Sequence, residues 1–146
     1  MKPIISLLLL ALGAAGCNSS KRIKSASSNA TLTDTYWKLT ILMGKPIQTT
    51  ADNITEMHII LKEKDNQVKG HGSCNNFSGA YEQNKNSYII FLNLVSTERV
   101  CLNMENETTF FKILNAVDRY NINGNTLLLN NAKMETLARF EAVYLK

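Results

Sequence analysis

Residues 70–81 read GHGSCNNFSGAY, and the reading of this stretch decides the fold. It packs three glycines, a cysteine, the adjacent pair Asn75 and Asn76, and the aromatic residues Phe77 and Tyr81 into twelve positions. Glycine tolerates positive φ and the close approach of another backbone, and Asn bonds its own local backbone, so a turn or bulge between two strands is predicted. Two roles are open to Asn75, Asn76, Phe77 and Tyr81. In one, Asn75 caps the turn while Phe77 and Tyr81 alternate with Ser78 and Ala80 into the core. In the other, all four form a polar and aromatic binding surface.

The flanking segments read as strands. Upstream, Trp37, Leu39 and Ile41 are predicted to share the buried face of a strand whose other face carries Tyr36, Lys38, Thr40 and Leu42. Gly44-Lys45-Pro46 breaks it, residues 57–62 (MHIILK) form a second strand that includes His58, and Lys64-Asp65-Asn66 turns the chain into residues 67–69. Downstream, residues 88–94 (YIIFLNL) are rich in β-formers. Residues 105–117 differ: Phe110, Phe111, Ile113, Leu114 and Val117 recur at helical spacing, with Glu105, Glu107 and Lys112 off that stripe. An amphipathic helix follows, with Asn103 as N-cap and two glutamates in its favourable first turn. Residues 120–122 and 126–129 flank Asn123-Gly124-Asn125, a hairpin signal, and Ala138, Phe140, Ala142 and Tyr144 alternate along a last strand. The predicted fold is α+β: a small antiparallel, strongly curved or barrel-like sheet with one amphipathic helix.

Three blocks in order carry a family resemblance. Trp37-Lys38-Leu39, then Gly70, Gly72, Cys74, Asn75, Phe77, Gly79 and Tyr81, then Ser96, Thr97 and Cys101 resemble the META (HslJ-like) domain of bacterial envelope lipoproteins over residues 34–146. Two departures stand out: Ser73 sits directly before Cys74, where the family pattern has its second glycine, and Glu98, Arg99 and Val100 replace a more usual methionine and small residue. The resemblance implies a helix, a closing hairpin, and a role in heat-induced stress and antibiotic tolerance.

The N terminus is of another kind. Lys2, the apolar run 4–12 and Ala14-Ala15-Gly16-Cys17 describe a secretory signal over residues 1–16. By resemblance to the bacterial lipobox, Cys17 becomes the lipid-modified first residue. The fourteen residues 4–17 fall short of the roughly 20 needed to span a bilayer. Residues 17–33 are polar and serine-rich and are expected to be a tether. Of sixteen basic residues, Lys2, Lys21, Arg22 and Lys24 precede Asp34 and no acidic residue does, so from Asp34 onward twelve basic face twelve acidic. A neutral domain offers nucleic acid nothing to bind, and the three tether charges suit anionic headgroups or a solvated linker. At 146 residues the chain holds one core.

With Cys17 lipidated, Cys74 and Cys101 are an even pair in an exported chain and read as a disulfide. The alternatives are a metal site using His71, Cys74 and Cys101 with His58, or a hydrolase in which Ser73, Ser78 or Cys74 is the nucleophile and His71 the base. The first lacks a second paired ligand motif, and the second lacks a G-x-S-x-G elbow and an acidic partner. No catalytic residue, metal or cofactor is therefore expected. The expected function is a non-catalytic lipoprotein of the cell envelope, anchored by its N-terminal lipid in the bacterial outer membrane, in stress response or antibiotic tolerance. The alternative is a binding or inhibitory module for an envelope hydrolase or surface polymer.

Overall fold

The computed structural model describes residues 29–48, 56–102 and 104–144. Cys17, the signal segment and most of the tether lie outside them. The strands are β1 (Tyr36–Leu42), β2 (Lys45–Pro46), β3 (His58–Lys62), β4 (Gln67–His71), β5 (Asn76–Gln83), β6 (Ile89–Ser96), β7 (Arg119–Asn123), β8 (Thr126–Asn130) and β9 (Thr136–Val143), with α1 (Glu105–Leu114) between β6 and β7. All pairings are antiparallel, in the order β6-β5-β4-β3-β1-β9-β8-β7, with β2 folded back on β1.

The sheet curls until its edges meet at one end. Tyr88 bridges Arg119, the Ile89 N–H donates to the Asp118 carbonyl at 3.1 Å, and the Tyr120 N–H donates to the Ser87 carbonyl at 2.9 Å. The result is a half-barrel of antiparallel strands with one helix among the described residues, the α+β architecture that the alternation and the single helical period imply. Inside lie Trp37, Ile59, Leu61, Val68, Ile89, Leu127, Leu129 and Phe140, and α1 adds Phe110, Ile113 and Leu114. An aromatic cluster joins helix to sheet: Phe77 meets Phe110 at 5.9 Å and Phe111 at 5.2 Å, both edge to face, and Phe110 lies 6.2 Å from Phe140.

Four details depart from the sequence reading. The β1–β9 register shifts between Leu39 and Ile41, and this bulge inverts the phase of the strand: Leu42 is buried while Ile41 is only partly covered. The fold also reaches further toward the N terminus than Asp34. Ala30 is buried and its N–H donates to the Gly124 carbonyl at 2.9 Å, and the Trp37 indole donates to the Leu32 carbonyl at 3.0 Å. Residues 30–33 thus belong to the domain because the indole needs an acceptor. The β7–β8 hairpin turns on Gly124 and Asn125, with Asn123 already paired to Thr126 and Gly124 at φ +60. Lastly, the N-cap position of α1 is Met104, which makes no side-chain capping bond. Asn103, expected to cap, lies outside the described residues.

Phe77 is only 4 % exposed and holds both helix aromatics. Phe77→Ala is expected to cost about 3–5 kcal/mol, against less than about 0.5 for Asn76→Ala on the outer face, both read by urea unfolding.

Candidate functional site

The glycine-rich stretch spans the end of β4, a turn at 72–75, and β5. At the turn a helix side chain enters. Glu107, 2 % exposed, accepts the backbone N–H groups of Cys74 and Asn75 on Oε2, both at 2.8 Å, and the Asn75 amide on Oε1 at 2.7 Å. A carboxylate leaves water at high cost unless donors replace it, and three N–H groups do so here. Gly72 makes the approach feasible, since a Cβ there would lie 2.8 Å from Cγ and Oε2 of Glu107.

Asn75 is fully engaged. Its amide also donates to the Arg99 carbonyl at 3.1 Å, and its Oδ1 accepts from the Thr97 hydroxyl at 2.7 Å and the Arg99 N–H at 2.8 Å. Two donors and two acceptors exhaust the side chain and fix its orientation. The next link is covalent: Cys74 and Cys101 form a disulfide with Cα atoms 6.0 Å apart, closing a 27-residue separation. On the chain-entropy estimate a loop of that size contributes about 3.5 kcal/mol. Segments 72–75, 97–101 and the first turn of α1 are thereby tied together. Among the described residues, no buried side-chain nitrogen or oxygen lacks a partner.

Ser73 occupies the position where the family pattern has glycine, and it adopts φ +97. This explains the glycine expected there: a Cβ is strained at that angle. His71, a candidate ligand or base by sequence, is 7 % exposed at the end of β4, and its Nδ1 accepts the Ser73 N–H at 3.1 Å. Burial pushes its pKa below the usual value, and neighbouring His58 adds to the shift while Glu107 opposes it. The His58 ring is stacked 4.3 Å from Tyr36 and 6.4 Å from His71. Burial, then the charge and hydrogen bond of Glu56, push the Tyr36 phenol up to about 12.

The candidates separate by face. Asn75, Phe77 and Tyr81 turn inward, with the Tyr81 hydroxyl donating to the Lys62 carbonyl at 3.2 Å, while Asn76 is exposed. Asn76, Ser78 and His58 line an open cleft of about 620 Å³ across β3 to β6. Bridged sulfurs leave Cys74 and Cys101 no thiolate for a metal or a substrate. Among the described residues no cluster of three or more His, Cys, Asp or Glu is placed to hold a metal, and no helix is long and apolar enough to cross a membrane. Glu107 was assigned to the polar side of the helix, yet it lies three residues before Phe110 and seven before Leu114, on the buried stripe. An acid at that register was the available signal.

Three outcomes follow from this geometry. Glu107→Gln keeps the volume but sets a donor among donors, and is expected to cost about 2–3 kcal/mol in chemical unfolding. Ser73→Gly relieves the φ strain and is expected to add about 1 kcal/mol, read the same way. His71 has a folded-state pKa below its unfolded value of 6.5, so the unfolded chain binds the proton first. Stability is therefore complete above pH 6.5 and declines as pH falls below it, and His71→Gln flattens that part of a melting-temperature profile against pH.

Comparison with known proteins agrees with this architecture. The described strands and helix resemble an NMR structure of a protein from Burkholderia xenovorans, at 19% identity and TM-score 0.63, covering 78% of this chain and 85% of that one. A second NMR structure matches at 20% identity and TM-score 0.59, covering 77% and 94% of the two chains. A crystal structure of a duf4847 family protein from Bacteroides vulgatus matches at 15% identity and TM-score 0.59, covering 79% and 96%. Identities this low speak to the fold alone. No curated protein matches the sequence. The profile of the META domain matches residues 30–144, which spans the whole half-barrel, its helix and the turn that Glu107 locks, and the chain belongs to the META domain family.

Proposed function

We propose that this chain is a lipid-tethered lipoprotein of the bacterial envelope whose META domain is a non-catalytic scaffold acting in stress response or antibiotic tolerance. The observation that carries the reading is how the chemically capable residues of the glycine-rich stretch are used. Cys74 is bridged, Asn75 makes four hydrogen bonds, and the Glu107 carboxylate accepts three. Groups committed to holding one another have no free thiolate, amide or carboxylate to offer a substrate. A disulfide that ties two loops suits an oxidising compartment, and the signal-like residues 1–16 that precede Cys17 supply the route there.

A second reading, a binding or inhibitory module for an envelope hydrolase or surface polymer, is favoured by the cleft of about 620 Å³, a volume typical of ligand sites. It is compatible with the first, since a scaffold holds its surface rigid for a partner.

The test is made in cells lacking the chain and complemented with wild type or with Cys17→Ser. Wild type is expected to sediment with membranes, to carry a lipid mass on its N-terminal peptide, and to restore survival after heat or antibiotic exposure. Cys17→Ser is expected to remain in the soluble or precursor fraction and to restore little. An unmodified wild-type N terminus with the chain wholly soluble overturns the tether.

A further inference from the structure

We infer that the cleft on the outer face of β3 to β6 binds an extended polypeptide segment that combines an acidic residue with apolar ones, which deepens and rests on the binding-module reading. The cleft is lined by His58, Lys69, Asn76, Phe77, Ser78 and Val95 among others, and no Asp or Glu lines it. Lys69 is exposed and forms no ion pair among the described residues, so its ammonium is available to a carboxylate. The His58 Nδ1 donates to the Glu56 carbonyl at 3.0 Å, so Nε2 is the ring nitrogen left for a partner. Asn76 and Ser78 offer further donors and acceptors on the same outward face.

An apolar wall stands beside these polar groups. Val95 forms one wall of the cleft and is 64% exposed. A saccharide has little use for an exposed aliphatic wall, whereas a peptide presenting Leu, Ile or Val to Val95 and Asp or Glu to Lys69 satisfies both. Topology keeps the N-terminal entry of the described chain off this surface. Successive turns of an antiparallel sheet alternate ends, so the segments 72–75 and 97–102 lie at one end, and Ala30, bonded to Gly124 in the β7–β8 turn, lies at the other. The chain enters the domain away from the cleft.

The experiment is selection of a displayed random heptapeptide library on the immobilised full chain, repeated on Lys69→Glu and Ser78→Trp. Wild type is expected to enrich peptides carrying Asp or Glu with aliphatic residues. Lys69→Glu is expected to weaken them about tenfold and to shift enrichment toward Lys and Arg, and Ser78→Trp to abolish binding by filling the cleft. Lys69 is exposed, so that variant reports on binding even where the bulkier one melts early. Enrichment without acidic bias, or peptides insensitive to both substitutions, overturns the cleft while leaving the binding-module reading in place. Enrichment of no peptide overturns the inference, and hexuronate oligomers that perturb the amide signals of Asn76 and Ser78 instead assign the cleft to a glycan. If neither ligand binds, the binding-module reading falls with it. None of these readouts depends on membrane attachment.

Discussion

Glu107 is the constraint around which the half-barrel is assembled. A half-barrel that closes at only one end needs something to fill and cover its mouth, and α1 does so with Phe110, Ile113 and Leu114. Apolar burial is non-directional and does not by itself set the rotation or depth of a helix. The carboxylate does. Its two oxygens take two consecutive backbone N–H groups and an amide at 2.7 to 2.8 Å, so the helix has one seating on the 72–75 turn. Gly72 follows from the same contact, because the space for its Cβ is filled by the glutamate.

The disulfide and Asn75 complete the lock from the opposite side. Asn75 reads both the N–H and the carbonyl of Arg99, as a neighbouring strand would, and so holds the 97–101 connection where no regular ladder reaches it. The bridge makes the arrangement covalent. Its two ends differ: Cys101 is exposed, while Cys74 is 7 % exposed with its N–H on the Glu107 carboxylate. An external thiol attacking at Cys101 displaces Cys74 as a buried thiolate near a carboxylate, an unfavourable leaving group. The geometry therefore describes a structural bridge.

The polar interior and the polar surface have different tasks in this molecule. Inside, every strong donor and acceptor of the lock is consumed, and the histidine nearest to it is buried with its Nδ1 occupied. Outside, one strand over, Lys69, Asn76 and Ser78 face solvent with Val95 beside them. Adjacent residues of one strand serve both roles because their side chains alternate: Phe77 joins the aromatic cluster while Asn76 and Ser78 line the cleft.

Much of the fold was legible in residue order. Alternation in residues 36–42, 57–62 and 88–94, helical spacing around Phe110 and Leu114, and the Asn-Gly signal at 123–124 are local properties, and local propensity and period sufficed to read them as an antiparallel sheet with one helix. The even pair of cysteines likewise pointed to a bridge. What only the tertiary structure decided was wherever a partner far along the chain sets the outcome. The bulge in β1 depends on its pairing with β9, and it sends Leu42 inward in place of Ile41. The inclusion of residues 30–33 depends on the indole of Trp37 reaching the Leu32 carbonyl. Above all, Glu107 reads as an ordinary first-turn acid until the turn at 72–75, more than thirty residues earlier, is brought over it. The sequence alone determined which segments are strand, helix and turn, because neighbouring residues control backbone period. Which polar groups are buried, and therefore which must find partners and which stay free to bind, was set by packing between distant segments.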